Sequence, residues 1–434
     1  MKGMVEIMRI LIKNANLISM DYKRAKIEEG IDILIENEVI KKIDRKIEEA
    51  VDKVIDVTGK VVMPGLINTH SHVPMSVFRE TVDGYITQDW LEQKIWPMED
   101  KLTNNDIYWA SLLSFIEMIK TGTTAINDMY FMTEDIIKAA KEAGIRLQTT
   151  RTLMDLLGDG DTRINEIEEL INKYHNKEKN ITFNIGIHGF YTTNDKYIPK
   201  CVELAKKYNL PIHIHFCENS KEVEDIQNMY NVESPVELIK RYFKGMHVII
   251  AHSVKLTSDE IKELAEDNIY VSHCPVSNLK LGCGIAKIVE MEDAGISVTL
   301  GTDGQGSGSN LDMFETMKFT ALLQKGRLEN PKVLTAYEVL KMATINGAKA
   351  LGLEEKIGSI EEGKQADIII INLDEVTTKP INDVFAEIVY NVKGTNVETT
   401  IVAGKILMEE RKIKHLEENR IYTKCNEIVS RIQN

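Results

Sequence analysis

"PGLINTHSHVPM", residues 64–75, sets two histidines, His70 and His72, one residue apart behind an apolar run. In an extended chain residues i and i+2 face the same way, so the two imidazoles converge on one point. By itself the pair reads equally well as two polar residues at a strand end. Recurrence tips the balance. "TFNIGIH" (182–188), "PIHIHF" (211–216), "HVIIAH" (247–252) and "IYVSH" (269–273) are short apolar runs with a histidine at or beside the last position, and "SVTLGTD" (297–303) ends on Asp303.

Together with "GLINTHSH" (65–72), "TTAINDM" (123–129) and "IRLQTTR" (145–151) they make eight strand-like runs. Helix-like stretches lie between them, such as "IYWASLLSFIEMIKTG" and "TEDIIKAAKEAG", the latter stopping at Gly144 as a C-cap does. Strands alternating with amphipathic helices imply parallel βα units, and eight such strands close a barrel. The expected fold class is α/β, a (β/α)8 TIM barrel over residues 64–363. The opening residues 1–63 read differently: "RILIKNANLIS", "IDILIENEVIKKI" and "KVIDVTGKVVMPG" are Ile/Val-rich pieces parted by polar turns. The same texture returns over 364–434 in "ADIIIINLD" and in "VETTIVAGKILMEE", with Gly404 at a hairpin turn. One small sheet module built from both chain ends is expected, followed by a surface helix over about 415–433.

The chain has ten histidines, and six of them, His70, His72, His188, His215, His252 and His273, sit at these strand ends. In such barrels function collects at the C-terminal ends of the strands. Each buried imidazole needs a polar partner, so this concentration is hard to explain by packing. His70, His72, His215 and Asp303 form a plausible mononuclear set: three neutral imidazoles and a carboxylate suit zinc or another first-row divalent ion. His213, one step deeper on the same strand face as His215, is expected to support that set from behind or to lie in the core. His247 begins its strand and reads as structural; His175 and His415 read as surface residues. A bound metal lowers the pKa of its water, and proton handling then needs a nearby carboxylate. Glu218, three residues past His215, is the candidate, with a helix cap as its plain alternative. His252 is placed to orient the nucleophile.

Composition narrows the classes. A net charge of -14 argues against a nucleic-acid footprint. The five cysteines include no C-x-x-C pair, so a disulfide framework or a thiolate zinc site is not expected, and a reducing, cytoplasmic setting is. No run approaches the roughly 18 apolar residues of a membrane helix. "MKGMVEIMRILIKN" lacks a signal-peptide cleavage pattern, and Met8 is an alternative start.

At this point the residues match a family. "PGLINTHSH", the His215-to-Glu218 HxxE, "AHSV" (251–254), "SHCPVSNLKLG" (272–282) and "LGTDG" (300–304), in this order, resemble the amidohydrolase superfamily, and within it the deaminase and chlorohydrolase branch. The chain is most similar to the 5-methylthioadenosine/S-adenosylhomocysteine deaminases and their 5'-deoxyadenosine deaminase relatives. The resemblance implies that the terminal module is a β-sandwich. It also implies a homo-oligomer and one divalent ion per subunit, zinc first, with iron and manganese as alternatives. Strand four, "TFNIGIH", contains no lysine to be carbamylated, which favours one metal over two. The implied reaction is hydrolytic deamination of an adenine nucleoside. A metal-bound hydroxide attacks C6, Asp303 accepts its proton, Glu218 protonates N1 and relays a proton to ammonia, and His252 holds the hydroxide.

"DWLEQKIWPMED" (89–100) resembles the segment carrying a nucleoside-facing Trp and a ribose-binding Glu, which maps onto Trp90 and Glu99. The plain alternative makes Trp90 and Trp96 core aromatics and Glu99 a helix cap. His188 matches a substrate-contacting histidine. Arg151 and Arg163 match arginines that reach the 5' substituent, one of them from a neighbouring subunit. Cys217 departs from the small residue usual before the catalytic Glu. The rival readings are another hydrolase of the branch, such as a guanine deaminase or triazine-type hydrolase, and a non-catalytic assembly protein, which would have lost metal ligands.

Overall fold

The computed structural model describes residues 8–21, 27–81 and 83–433; the start segment before Met8 lies outside the described residues. From the N-terminal part come β1 (Arg9–Leu17), β2 (Glu28–Glu36), β3 (Val39–Asp44), β4 (Lys53–Asp56) and β5 (Val61–Pro64). The middle gives β6 (Leu66–Ser71), β7 (Thr123–Asp128), β8 (Arg146–Thr149), β9 (Ile181–Phe183), β10 (Ile185–Ile187), β11 (Ile212–Phe216), β12 (Val248–His252), β13 (Ile269–His273) and β14 (Ser297–Leu300). The C-terminal part adds β15 (Ile368–Ile371), β16 (Val397–Val402) and β17 (Lys405–Met408).

Both chain ends share one sheet, in the order β17-β16-β15-β5-β1-β2-β3 with β4 beside β1. The join is the antiparallel pairing of β15 with β5, Ile368 opposite Pro64 through Ile371 opposite Val61. Alternation along these strands puts Ile10, Ile12, Ile33, Ile35, Val62, Ile368, Ile370 and Ile401 into one buried cluster. The β16–β17 hairpin turns at Ala403 and Gly404, both at positive φ (46° and 72°), the twist a two-residue turn needs. The last helix, Glu418–Ile432, buries Ile421, Cys425, Ile428 and Ile432 at helical spacing.

The middle strands form parallel sheets, β6-β7-β8-β9 and β10-β11-β12-β13-β14. β6, β7, β8, β11 and β12 are buried at every residue, as strands covered on both faces are. The run read from sequence as the single strand "TFNIGIH" is divided at Asn184: β9 pairs with β8 and β10 with β11. Asn184 turns its side chain inward, where Nδ2 donates to Asn127 Oδ1 at 2.7 Å. Beyond β14, Asp303 N donates to His70 O at 3.1 Å and Thr69 Oγ1 donates to Leu300 O at 2.9 Å, tying β14's end to β6. The helix Thr133–Ala143 ends at Gly144, φ 78°.

Arg146 on β8 clamps Asp367, just before β15, with Nε and Nη2 at 3.0 and 2.9 Å, and Asp367 Oδ1 also accepts from Ala403 N at 2.8 Å. A buried, bidentate and fully bonded pair of this kind fixes register between the two sheets. His175 corrects its surface reading: it is half-buried, and its Nδ1 accepts from Phe183 N at 3.1 Å. His415 is exposed, with Nε2 donating to Ala143 O at 3.0 Å. His247 is structural, stacked on Tyr270 and bonded through Nε2 to Ala350 O at 2.8 Å.

Candidate active site

Four of the strand-end residues meet at one point. His70 and His72 come from the end of β6, His215 from β11, and Asp303 from the turn after β14. The ring centroids of His70 lie 4.9 Å from His72 and 4.8 Å from His215. Asp303 Oδ1 is 3.1 Å from His72 Nε2 and 3.6 Å from His70 Nε2. His70, His72 and His215 bring one ligand atom each within 4.8 Å of one another, as do His70, His252 and Asp303.

The hydrogen bonds behind these groups decide what they present. His72 Nδ1 is 2.6 Å from Met129 O and His215 Nδ1 is 2.7 Å from His188 O. A carbonyl only accepts, so each Nδ1 carries a proton and Nε2 is the atom each ring turns toward the cluster. Those two Nε2 atoms face each other at 3.2 Å. His70 Nε2 is buried and has no hydrogen-bond partner among the described residues. Such an arrangement needs positive charge at its centre, and the donor set suits a tetrahedral divalent ion. Burial opposes a charge on His72, but the Asp303 carboxylate outweighs it and pushes the ring up to about 9. Burial alone would raise the Asp303 carboxyl; His70 and His72 outweigh it and hold the group well below the usual carboxylate range. His213 lies behind His70, with Nε2 2.9 Å from His70 Nδ1 and Asn127 Nδ2 3.2 Å from its Nδ1.

The cluster opens into a cleft at the C-terminal ends of the strands. Its walls include Trp90, Glu99, Tyr130, His188, Glu218, His252 and Asp303. Glu218 is buried, and that burial raises its carboxyl, favouring the protonated form needed of an acid. His252 Nδ1 donates to Asn278 Oδ1 at 2.9 Å, which leaves Nε2 as an acceptor. Asp303 Oδ2 accepts from Ser277 Oγ at 2.6 Å and from Ser307 Oγ at 2.8 Å. Cys217, His252 and Asp303 all lie at positive φ (52°, 73° and 61°), strained backbone of the kind that accumulates at functional sites.

Trp90 and Glu99 both line this cleft, on a helical segment that contains a π turn over Leu91–Ile95. Trp90 Nε1 donates to Thr81 Oγ1 at 3.1 Å, and the ring packs so close to Gly306 that a Cβ there would come within 2.9 Å of it. Glu99 accepts from Tyr130 Oη, and burial pushes its carboxyl up to about 7. Burial holds His188 neutral, down at about 3.

Arg151 and Arg163 stand apart from the cleft walls. Arg151 Nε pairs with Glu166 and Arg163 Nε with Asp159, each at 2.7 Å. Both guanidiniums face the ring of Phe131, at 5.9 and 5.4 Å, and Phe131 itself lines the cleft. His273 is buried with neither ring nitrogen bonded among the described residues, and it is not a cleft residue. Sequence reasoning missed Tyr130, Ser277, Asn278 and Ser307. Ser277 and Asn278 stood inside the quoted "SHCPVSN" without a role; the others carry no local pattern.

Residues 61–407 match the model of the amidohydrolase family. The chain belongs to that family. A 5-methylthioadenosine/S-adenosylhomocysteine deaminase of Caldanaerobacter subterraneus subsp. tengcongensis is 41% identical to this amidohydrolase, covering 98% of each chain. A 5'-deoxyadenosine deaminase of Methanocaldococcus jannaschii is 42% identical, covering 96% of this chain and 98% of its own. Among solved structures, a zinc-bound adenosine deaminase of Xanthomonas campestris superposes with a TM-score of 0.93 at 28% identity over 98% of each chain.

Proposed function

We propose that this amidohydrolase deaminates adenine nucleosides by water, giving the inosine analogue and ammonia. The observation that carries this reading is that one cleft is lined both by the histidine–aspartate cluster with Glu218 and His252 and by Trp90, Glu99 and His188. The relatives named for 5-methylthioadenosine, S-adenosylhomocysteine and 5'-deoxyadenosine support it over nearly the whole chain. Retention of all four ligand positions and Glu218 speaks against a non-catalytic role.

When held by His70, His72, His215 and Asp303, a divalent ion, zinc first among them, supplies the Lewis acid that makes water nucleophilic near neutral pH. Asp303, fixed by Ser277 and Ser307, takes the proton of the attacking water. His252, with Nδ1 committed to Asn278, accepts from that water at Nε2 and aligns it on C6. Glu218 gives a proton to N1 of the purine, then takes the proton of the hydroxyl now on C6 and passes it to the departing amine, and the proton left on Asp303 restores the Glu218 acid. Trp90 offers an aromatic face to the base, His188 a neutral imidazole, and Glu99 a carboxylate to the vicinal ribose hydroxyls. Arg151 and Arg163, paired with Glu166 and Asp159 and set behind Phe131, are assigned to the side of the 5' substituent.

In architecture, we assign residues 64–363 to a closed (β/α)8 barrel. Closure is supported by the single residue between β9 and β10 and by the Asp303–His70 backbone bond. To the small β-sandwich we assign the described parts of residues 1–63 and 364–434, whose strands share one sheet. Five buried, unpaired cysteines fit a reducing compartment, and we place the enzyme in the cytoplasm as a homo-oligomer. Among the described residues, no helix is long and apolar enough to cross a membrane.

The nucleoside part of the reading is tested at Glu99. Glu99→Ala raises KM for ribonucleosides and lowers their kcat/KM roughly tens-fold, the loss of a charged hydrogen bond worth about 1.5–3 kcal/mol. Substrates lacking the 2'-hydroxyl lose much less. Equal losses in ribo- and 2'-deoxyribonucleosides would make Glu99 structural.

A further inference from the structure

Glu222 stands at the start of the helix Ser220–Tyr230, three residues past the N-cap Asn219. A carboxylate at that position ordinarily bonds the N-cap's own amide. The chain shows that arrangement elsewhere: Asp106 accepts from Thr103 N, Glu260 from Thr257 N and Glu338 from Thr335 N, each at 2.7 Å. Glu222 reaches further back. Its Oε2 accepts from Glu218 N at 2.7 Å and its Oε1 from Cys217 N at 2.9 Å. The ordinary half of the cap is kept, since Asn219 Oδ1 accepts from Glu222 N at 3.0 Å.

The two amides so held belong to the turn that aims Glu218. Cys217 is left-handed at φ 52°, a conformation a side chain with a Cβ adopts only under constraint. On its other side the same turn is bonded through its carbonyls: Ser253 N donates to Phe216 O and Lys255 N to Cys217 O, each at 2.9 Å. Glu222 is 1% exposed and is not among the cleft residues, so it is buried for the turn rather than for the ligand. We propose that Glu222 is the positioning residue of Glu218, its two oxygens holding consecutive amides so that the Glu218 carboxyl projects into the cleft. This rests on Glu218 being the proton carrier.

The test is a double-mutant comparison of Glu222→Gln, Glu218→Gln and both together, read by kcat, metal content and melting profile. Glutamine has one acceptor oxygen, so one of the two amides meets an NH2 instead. Glu222→Gln should keep its metal and lose roughly 10- to 100-fold in kcat, the scale of an ångström-sized misplacement. In the Glu218→Gln background the same substitution should change kcat by less than about twofold, because residues acting through one group are not additive. Equal factors in both backgrounds, or full kcat in Glu222→Gln with only a lower melting point, would overturn the inference. Full turnover in Glu218→Gln would sink the proton-carrier reading itself, a distinguishable result. Should Glu222→Gln not fold, Glu222→Asp, which keeps the charge but not the reach, carries the same comparison.

Discussion

Glu218→Gln should bind its metal as the parent does and turn adenine nucleosides over about 10²- to 10⁴-fold more slowly, the span general acid–base catalysis covers. The substitution is nearly isosteric and removes no ligand of the histidine–aspartate cluster. It leaves the amide of residue 218 free to bond Glu222 as before. What it removes is a buried carboxyl whose affinity for a proton is raised by that burial. An amide cannot give N1 a proton and take another, so the loss falls on kcat. A variant within a few-fold of the parent would take Glu218 out of the mechanism.

His72→Ala should lose the metal outright. The ring is fixed at the cluster by its Nδ1 bond to Met129 O, and its Nε2 sits between Asp303 Oδ1 and His215 Nε2, at 3.1 and 3.2 Å. Loss of an outer partner typically costs about 10–100-fold in metal affinity or activity, and loss of a ligand should exceed that. Chelation of the unmodified enzyme should likewise abolish activity, with zinc, manganese or iron(II) restoring part of it. A full metal equivalent and normal turnover in His72→Ala would show that the ligand assignment is wrong.

The strands were legible because parallel strands buried on both faces must be apolar throughout, which sets "HVIIAH" and "PIHIHF" apart from their polar surroundings. The break at Asn184 was not, since one polar residue inside "TFNIGIH" is what an interrupted and a continuous strand share; the pairing distinguishes them, with β8 before Asn184 and with β11 after it. The histidine–aspartate cluster was legible because few residue types serve a metal and their strand-end position repeats. The π turn before Trp96 was hidden, because a single widened turn leaves no mark on the residue types of "DWLEQKIWP". Ser277, Ser307 and Tyr130 were hidden for a different reason: a hydroxyl bonded to a cleft carboxylate looks, in sequence, like any other hydroxyl. Glu222 reads as a helix-start carboxylate, and its reach past the N-cap is a matter of side-chain direction alone. The arginines were legible as charges at a strand end and in the following loop. That they would be paired with Glu166 and Asp159, behind Phe131, depends on folding partners that sequence order does not bring together.

The central claim, hydrolytic deamination of an adenine nucleoside, is tested most directly by measuring ammonia release by the metal-loaded protein. The panel is 5'-deoxyadenosine, 5'-methylthioadenosine, S-adenosylhomocysteine and adenosine, beside guanine and a chlorotriazine. The account predicts that at least one of the four nucleosides reaches kcat/KM of about 10⁴ M⁻¹s⁻¹ or more, with its inosine analogue as co-product, and that guanine and the triazine fall far below it. Turnover of guanine, or release of chloride from the triazine, faster than any of the four nucleosides is deaminated would contradict it.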